Sequence, residues 1–239
     1  MQHYFGKIDG NFAYLSEEDL HHFLRVKRAE RGEEVEISYD GSLYLCVVKS
    51  LDPLSIAVLS KLDEHRELPG KLALAFALLK GDHHEEIILK GTELGVSEFF
   101  PFTSKRTIVR LEGKPRKIER LSLIAKEGAE QCRRNSLPLV HEPCSFNDLL
   151  ALPFDHRLLA YEDQRVSGAK PLYEYASNLQ KGESVLVLIG PEGGFEPLEA
   201  TKAIESGFVP VSLGKRILRA ETAALCAAAV ISSTWEGKA

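Results

Sequence analysis

Apolar residues run without a break from Val185 to Ile189 and lead straight into Gly190-Pro191-Glu192-Gly193-Gly194. No other junction constrains the chain as much. A short continuous apolar run reads as a strand covered on both faces, the usual state in α/β proteins. Beyond the loop, Glu196-Pro197 opens a helical pattern that ends near Gly207. Pro at the first helical position and Gly just past the last one frame that helix. The order is strand, glycine loop, helix, and open α/β sheets bind ligands at such strand ends. The loop is not a phosphate cradle. It lacks the Lys-Ser/Thr of a P-loop, does not fit G-x-G-x-x-G, and carries Glu192, which would repel a phosphate. It suits a neutral or cationic ligand read by backbone N–H and C=O groups. The same residues also suit a tight turn needing φ > 0 at Gly193 or Gly194.

A second unit of this kind follows. Val209-Pro210-Val211-Ser212-Leu213-Gly214 reads as a short strand ending in Gly. Lys215 to Ala224 then leads into an Ala-rich helix reaching about Trp235.

Upstream, two domains are expected. Residues 1–68 read as a small β-rich domain. His3 to Phe5, Phe12 to Leu15, Glu34 to Ser38, Ser42 to Val48 and Ser55 to Leu59 read as strands, with Asp40-Gly41 as a hairpin turn. Ser16 caps a short helix with Asp19 three residues on. Short strands joined by tight turns indicate a small barrel. The polar stretch Glu64 to Gly70 reads as a linker. Residues 71–239 alternate strands and helices, which argues for a parallel sheet with helices on both faces. Its strands are expected at Lys71 to Leu79, Phe99 to Phe102 and Leu158 to Tyr161. Its helices are expected at His83 to Leu94, Lys114 to Arg134 and Pro171 to Leu179.

Composition excludes several classes. No apolar run approaches the roughly 20 residues of a membrane span. Residues 1–20 carry acids and no long apolar core, so no signal peptide is expected. Cys46, Cys132, Cys144 and Cys226 are scattered and read as reduced structural thiols of a cytosolic protein. His21 and His22 point about 100° apart on a helix, as do His83 and His84, so no metal site is expected. The net charge is −5, yet Lys105 to Arg134 holds ten Lys/Arg against four Glu. Such a segment forms either a phosphate-binding patch or a solvated helix face. Arg25, Lys27, Arg28 and Arg31 make a second basic cluster.

These segments together resemble the SPOUT-class methyltransferases, specifically the RsmE-type 16S ribosomal RNA uridine N3-methyltransferases. The resemblance is carried by Ile189 to Phe195 with Glu199 downstream, and by Leu213 to Ala223. Further matches are Lys80-Gly81-Asp82, Lys90 with Thr92 to Val96, Glu127 with Glu130-Gln131, Arg134 and Pro138, and His22 to Val26. Gln2-His3 stands where relatives often have Arg, which puts an N-terminal phosphate contact in doubt.

The resemblance implies a PUA-like RNA-docking barrel and a SPOUT domain with a deep trefoil knot, in which the C-terminal segment threads a preceding loop. It implies S-adenosylmethionine as methyl donor. The donor would be held by Ala160, Tyr161, Ile189, Gly190, Pro191, Gly193, Leu213, Gly214, Ile217, Leu218 and Ala220. Leu213, Ile217 and Leu218 would sandwich the adenine, with Gly190 against the ribose. Arg219 would stabilise charge on the uracil oxygens, and Glu221 or Glu192 would orient it or accept the proton. Both carboxylates equally suit a capping role. The RNA-facing set would be Arg25, Lys80, Lys90, Arg106, Arg133 and Arg134, unless Lys80 and Lys90 instead pair with Glu93 or Glu127. The implied partners are the 16S rRNA or small subunit and a second copy of the chain, packed through the C-terminal helix at Ala223 to Ala229. The alternatives are a non-catalytic RNA- or ribosome-binding protein, a related enzyme acting on another RNA position, and a nucleotide-binding enzyme of the doubly wound class.

Overall fold

The computed structural model describes residues 1–107, 109, 115–161 and 169–238, with the backbone alone at 115 and 116. Arg110 and Lys114, counted above in the basic segment, lie outside the described residues. Two compact units are present, residues 1–67 with 129–137, and residues 68–128 with 138–239.

In the first unit, β1 (Gln2–Asp9), β2 (Phe12–Leu15), β3 (Glu34–Tyr39), β4 (Ser42–Leu51) and β5 (Leu54–Leu62) close a barrel in the order β1-β2-β5-β4-β3. Asp40 and Gly41 both have positive φ, 48° and 69°, the geometry a two-residue hairpin needs. Ser16 Oγ accepts from Asp19 N–H at 3.1 Å and starts α1 (Glu17–His21), which runs on as a π-helical turn over His22–Val26. The interior holds Tyr4, Phe23, Val35, Ile37, Cys46, Val48 and Ile56.

Segment 129–137, expected in the second domain, clusters with this barrel. Glu67 Oε1 accepts from the N–H groups of Asn135 and Ser136 at 2.9 and 3.0 Å, and Asn135 Oδ1 accepts from Arg66 N–H at 2.8 Å. The polar stretch from Glu64 is therefore not a free linker, since its N–H and carboxylate groups bind residues 133–136.

His3 is buried and shares a hydrogen bond with Ser38 Oγ at 2.9 Å. Burial pushes its imidazole down to about 4, with Glu36 pulling the other way and Arg66 and Arg133 pushing further down. Burial also raises the nearby Glu36 carboxyl, but its bond to Arg66 and the charge of Arg133 prevail and hold it below the usual range.

In the second unit, β6 (Lys71–Ala77), β7 (Glu98–Thr103), β8 (Leu139–Val140), β10 (His156–Ala160), β11 (Lys170–Pro171), β12 (Ser184–Ile189) and β13 (Val209–Ser212) line up as β11-β13-β10-β12-β6-β7-β8, and β9 (Cys144–Ser145) also pairs with β7. Neighbouring strands run parallel. Alternate residues of β6 enter different cores. Leu72, Leu74 and Phe76 face one cluster and Ala73, Ala75 and Ala77 the other. The first cluster is covered by α2 (His83–Glu93), α3 (Pro115–Gln131), α5 (Leu172–Ala176) and α7 (Ala220–Glu236). The second is covered by α4 (Phe146–Leu150) and α6 (Pro197–Glu205). Each fully buried large apolar side chain contributes on the order of 1.5–3 kcal/mol. Strands β8, β9 and β11 and helix α4 went unread in the sequence, because two-residue strands and a five-residue helix carry no periodic signal.

The four cysteines are free, and burial pushes the Cys46 and Cys144 thiols up to about 11, which keeps them protonated. No helix among the described residues is long and apolar enough to cross a membrane.

A depressed His3 means that the unfolded chain binds the proton first. Its stabilisation is present in full above pH 6.5 and is lost as pH falls toward 4. Glu36 adds a loss in the same direction at more acidic pH. Denaturant unfolding of the full chain should weaken from pH 7 to 4 with a His3 share of at most about 1.4 kcal/mol per pH unit. His3→Gln should flatten that stretch. An identical slope in the variant would shift the effect to another group.

Candidate functional site at the C-terminal edge of the sheet

Strand β10 lies between β12 and β13, with Ala160 opposite both Ile189 and Val211. Three strands thus end together. The segments that leave them begin at Tyr161, Gly190 and Leu213, so that β10 and β13 stop one and two residues earlier than the sequence reading placed them. Tyr161 N–H extends the pairing to Val211 O at 3.4 Å.

The loop after β12 is a closed turn. Gly194 donates its N–H to Pro191 O at 2.8 Å and has φ +67°. Of the two glycines that the turn left open, Gly194 takes the left-handed conformation. Gly190 is needed for a different reason: a Cβ there would lie 3.0 Å from the ring of Phe195, which is buried and stacked on Phe102.

Glu196 then caps α6, with Pro197 as its first residue. Glu199, 7% exposed, accepts from Glu196 N–H at 2.9 Å and from Lys105 N–H at 3.0 Å. One carboxylate so fastens the start of α6 to the segment after β7. Lys105 Nζ also pairs with Glu196 at 3.2 Å.

The loop after β13 is more open. Gly214 has φ +125°, with its N–H on Ser212 Oγ at 3.2 Å. Ile217 is 83% exposed, while Leu213 and Leu218 are half-buried. Arg219 is exposed, and its extended backbone forms the N-cap of α7, its C=O accepting from Ala223 N–H at 2.8 Å. Ala220 is buried as the first helical residue. Glu221, 9% exposed, sits in the first turn, where the helix dipole favours a carboxylate, and lies 3.9 Å from His83 Nδ1 at the start of α2. His83 was missed in the sequence. Only its place directly after Lys80-Gly81-Asp82 could have pointed to it.

The other candidates are spread more widely. Glu192 is exposed, and its Oε1 accepts from Lys80 N–H at 3.0 Å. Arg106 donates to Gly193 O at 2.7 Å. Lys90 pairs with Glu93 at 2.8 Å, the structural option kept open above. Arg25 is exposed on the π-helical turn. Arg133 donates to Met1 O at 3.0 Å. Arg134 requires a correction. It is 3% exposed and its Nε donates to Glu67 at 3.0 Å, so its guanidinium serves the first unit and not a phosphate. The basic segment is also partly neutralised elsewhere, for Arg120 holds Glu85 with two bonds of 2.6 and 2.8 Å. Among the described residues no cluster of three metal-ligating side chains occurs.

This arrangement is that of an RNA methyltransferase. Residues 66–232 match the family described as RNA methyltransferase domain, and residues 15–59 match the RNA methyltransferase PUA domain. The chain is 41% identical over 230 residues to the ribosomal RNA small subunit methyltransferase E of Bacillus subtilis, covering 93% of this chain and 90% of that protein. The protein of that name from Synechocystis is 35% identical, over 93% of this chain and 73% of its own length. The chain belongs to the family of ribosomal RNA small subunit methyltransferase E. A solved structure of the Neisseria gonorrhoeae member, bound to S-adenosyl methionine, superposes with TM-score 0.85 at 26% identity over 98% of both chains.

Replacing Glu199 by Ala would leave the N–H groups of Lys105 and Glu196 without their acceptor. The expected loss is about 1–3 kcal/mol in denaturant unfolding, with faster hydrogen exchange at those two amides. An unchanged midpoint with unchanged exchange would remove Glu199 from this role.

Proposed function

We propose that this chain methylates a uridine of small-subunit ribosomal RNA at N3, with S-adenosylmethionine as donor. The observation that carries the proposal is the meeting of three parallel strand ends whose loops offer main-chain groups instead of a phosphate cradle. The relatives' names and the donor bound in the N. gonorrhoeae structure support it.

The residues fit such a donor. A sulfonium nucleoside carries a cation and no phosphate. The turn at Gly190 to Gly194 presents neutral peptide groups, and Ile217, left 83% exposed, offers an apolar wall that no core contact explains. In this reading the donor is held by Ala160, Tyr161, Ile189, Gly190, Pro191, Gly193, Leu213, Gly214, Ile217, Leu218 and Ala220. When bound, it supplies an activated methyl group. The protein's part is alignment and charge stabilisation.

Uridine N3 must lose its proton before its lone pair can attack. Arg219 is exposed at the N-cap of α7 and would stabilise the negative charge on the uracil oxygens. Glu221, one residue on and 3.9 Å from His83, would orient that guanidinium or accept the proton. Arg25, Lys80 and Arg133 remain as RNA contacts in this proposal, with Lys90 once its bond to Glu93 opens. Residues 1–68 would dock RNA and 71–239 perform the reaction. The family resemblance further supports a trefoil-knotted threading and a cytoplasmic homodimer packed through α7.

Arg219→Ala should lower methyl transfer on the order of 10²-fold with donor affinity, read by calorimetry, unchanged. Near-normal turnover would remove Arg219 from the reaction. Mass mapping of rRNA from a strain lacking the protein should show one N3-methyluridine lost from the small-subunit rRNA. Loss of a methyl group from another position would replace the N3 assignment, and failure of the purified chain to bind donor would favour a non-catalytic RNA-binding role.

A further inference from the structure

We propose that Arg106 and Glu192 form a two-sided clasp on the Gly190–Gly194 loop, which makes them positioning residues for the donor instead of a phosphate contact and a proton acceptor. The proposal rests on the reading of that loop as part of the donor site.

Two consecutive residues of the loop are tied to two different neighbours. Strand β6 flanks β12, with Phe76 opposite Ile189, and the segment after β6 supplies Lys80 N–H to Glu192 Oε1 at 3.0 Å. Strand β7 flanks β6 in turn, with Pro101 opposite Phe76, and the segment after β7 supplies Arg106 Nη1 to Gly193 O at 2.7 Å. The Arg106 stem lies along the same glycine, for a Cβ on Gly193 would be 3.5 Å from Arg106 Cδ and 3.7 Å from its Cβ.

The peptide between Gly193 and Gly194 is held at both ends. Its C=O accepts from Arg106, and its N–H donates to Pro191 O at 2.8 Å. A Gly-Gly pair has the largest conformational freedom to lose, so an untied loop would have to be ordered each time a ligand bound. Tying it beforehand lowers that cost and strengthens binding. Both anchors pair a charged side chain with a neutral main-chain group. Glu192 is thereby turned to a peptide N–H, and Arg106, 46% exposed, crosses back to the loop with Glu196 4.0 Å from its Nε.

The test uses the full chain and four variants, Arg106→Ala, Glu192→Ala, Glu192→Gln and the double Ala variant. Without ligand, exchange of the Gly194 amide should quicken in each Ala variant while the unfolding midpoint stays. The Kd for S-adenosylmethionine and its KM should rise about tenfold in each, with the loss falling on KM and not kcat. Glu192→Gln, which keeps an acceptor for Lys80 N–H, should restore most of what Glu192→Ala loses. The double variant should lose less than the sum of the two, since both anchors order one loop. The salt slope of RNA binding should not change in Arg106→Ala.

Three outcomes would overturn the clasp. Exchange at Gly194 is unaltered in the Ala variants. The salt slope flattens by about one unit in Arg106→Ala while donor affinity holds, which marks a phosphate contact. Turnover collapses in Glu192→Gln while donor affinity holds, which marks a proton acceptor. Failure of the unaltered chain to bind donor would strike the underlying site assignment, and the ligand-free exchange would still decide the clasp.

Discussion

Strand β12 is closed to water on both faces, and the position of the site follows from that. Val185, Val187 and Ile189 lie in one core and Leu186 and Leu188 in the other. A strand sealed on both sides can present polar chemistry only at its ends. Its neighbours β10 and β6 are subject to the same condition, so their C-terminal ends gather along one edge. Side chains of the loops there are packed unevenly, for Phe195 is buried and Leu213 lies against a core while Ile217 is exposed. The loops are shaped by turns and by hydrogen bonds to neighbouring segments.

Carboxylates supply most of that shaping. Glu199 ties the start of α6 to the segment after β7, Glu192 reaches the segment after β6, and Glu221 occupies the first turn of α7. Each faces N–H groups or a helix N-terminus, where a negative charge is favourable. This explains how an edge so rich in Glu suits a neutral or cationic nucleoside. Glu199 and Glu192 are turned to main-chain N–H groups of neighbouring segments.

The first unit is organised by a different carboxylate. Glu67 collects the N–H groups of Asn135 and Ser136 and the guanidinium of Arg134. The buried Arg134 guanidinium needs such a partner, since an unpaired buried charge is strongly destabilising. Arg134 and Arg120, which in sequence belong to one basic run, are each neutralised by a carboxylate from a distant part of the chain. Two cations of that run are thus paired within the chain.

Periodicity and composition were enough to place the β-rich and α/β regions, the apolar strands β6 and β12, the capped helices α1 and α6 and the two glycine loops. Those features are local: a run of apolar residues, a Ser before acids, a Pro at a helix start. The paired loop motifs, Ile189 to Phe195 and Leu213 to Ala223, also carried the family. What the chain alone left open was everything that depends on a partner far away in sequence. Arg134 looked like a phosphate contact until Glu67 stood beside it. The stretch from Glu64 looked like a linker until Asn135 bound it. Arg106 belonged to the RNA-facing set implied by the resemblance, and its bond to Gly193 O could not be read from the chain. Sequence determines which groups are charged and where the backbone is free to turn. Only the tertiary structure decides which charges are already satisfied, because a side chain's availability depends on the nearest opposite charge or carbonyl in space.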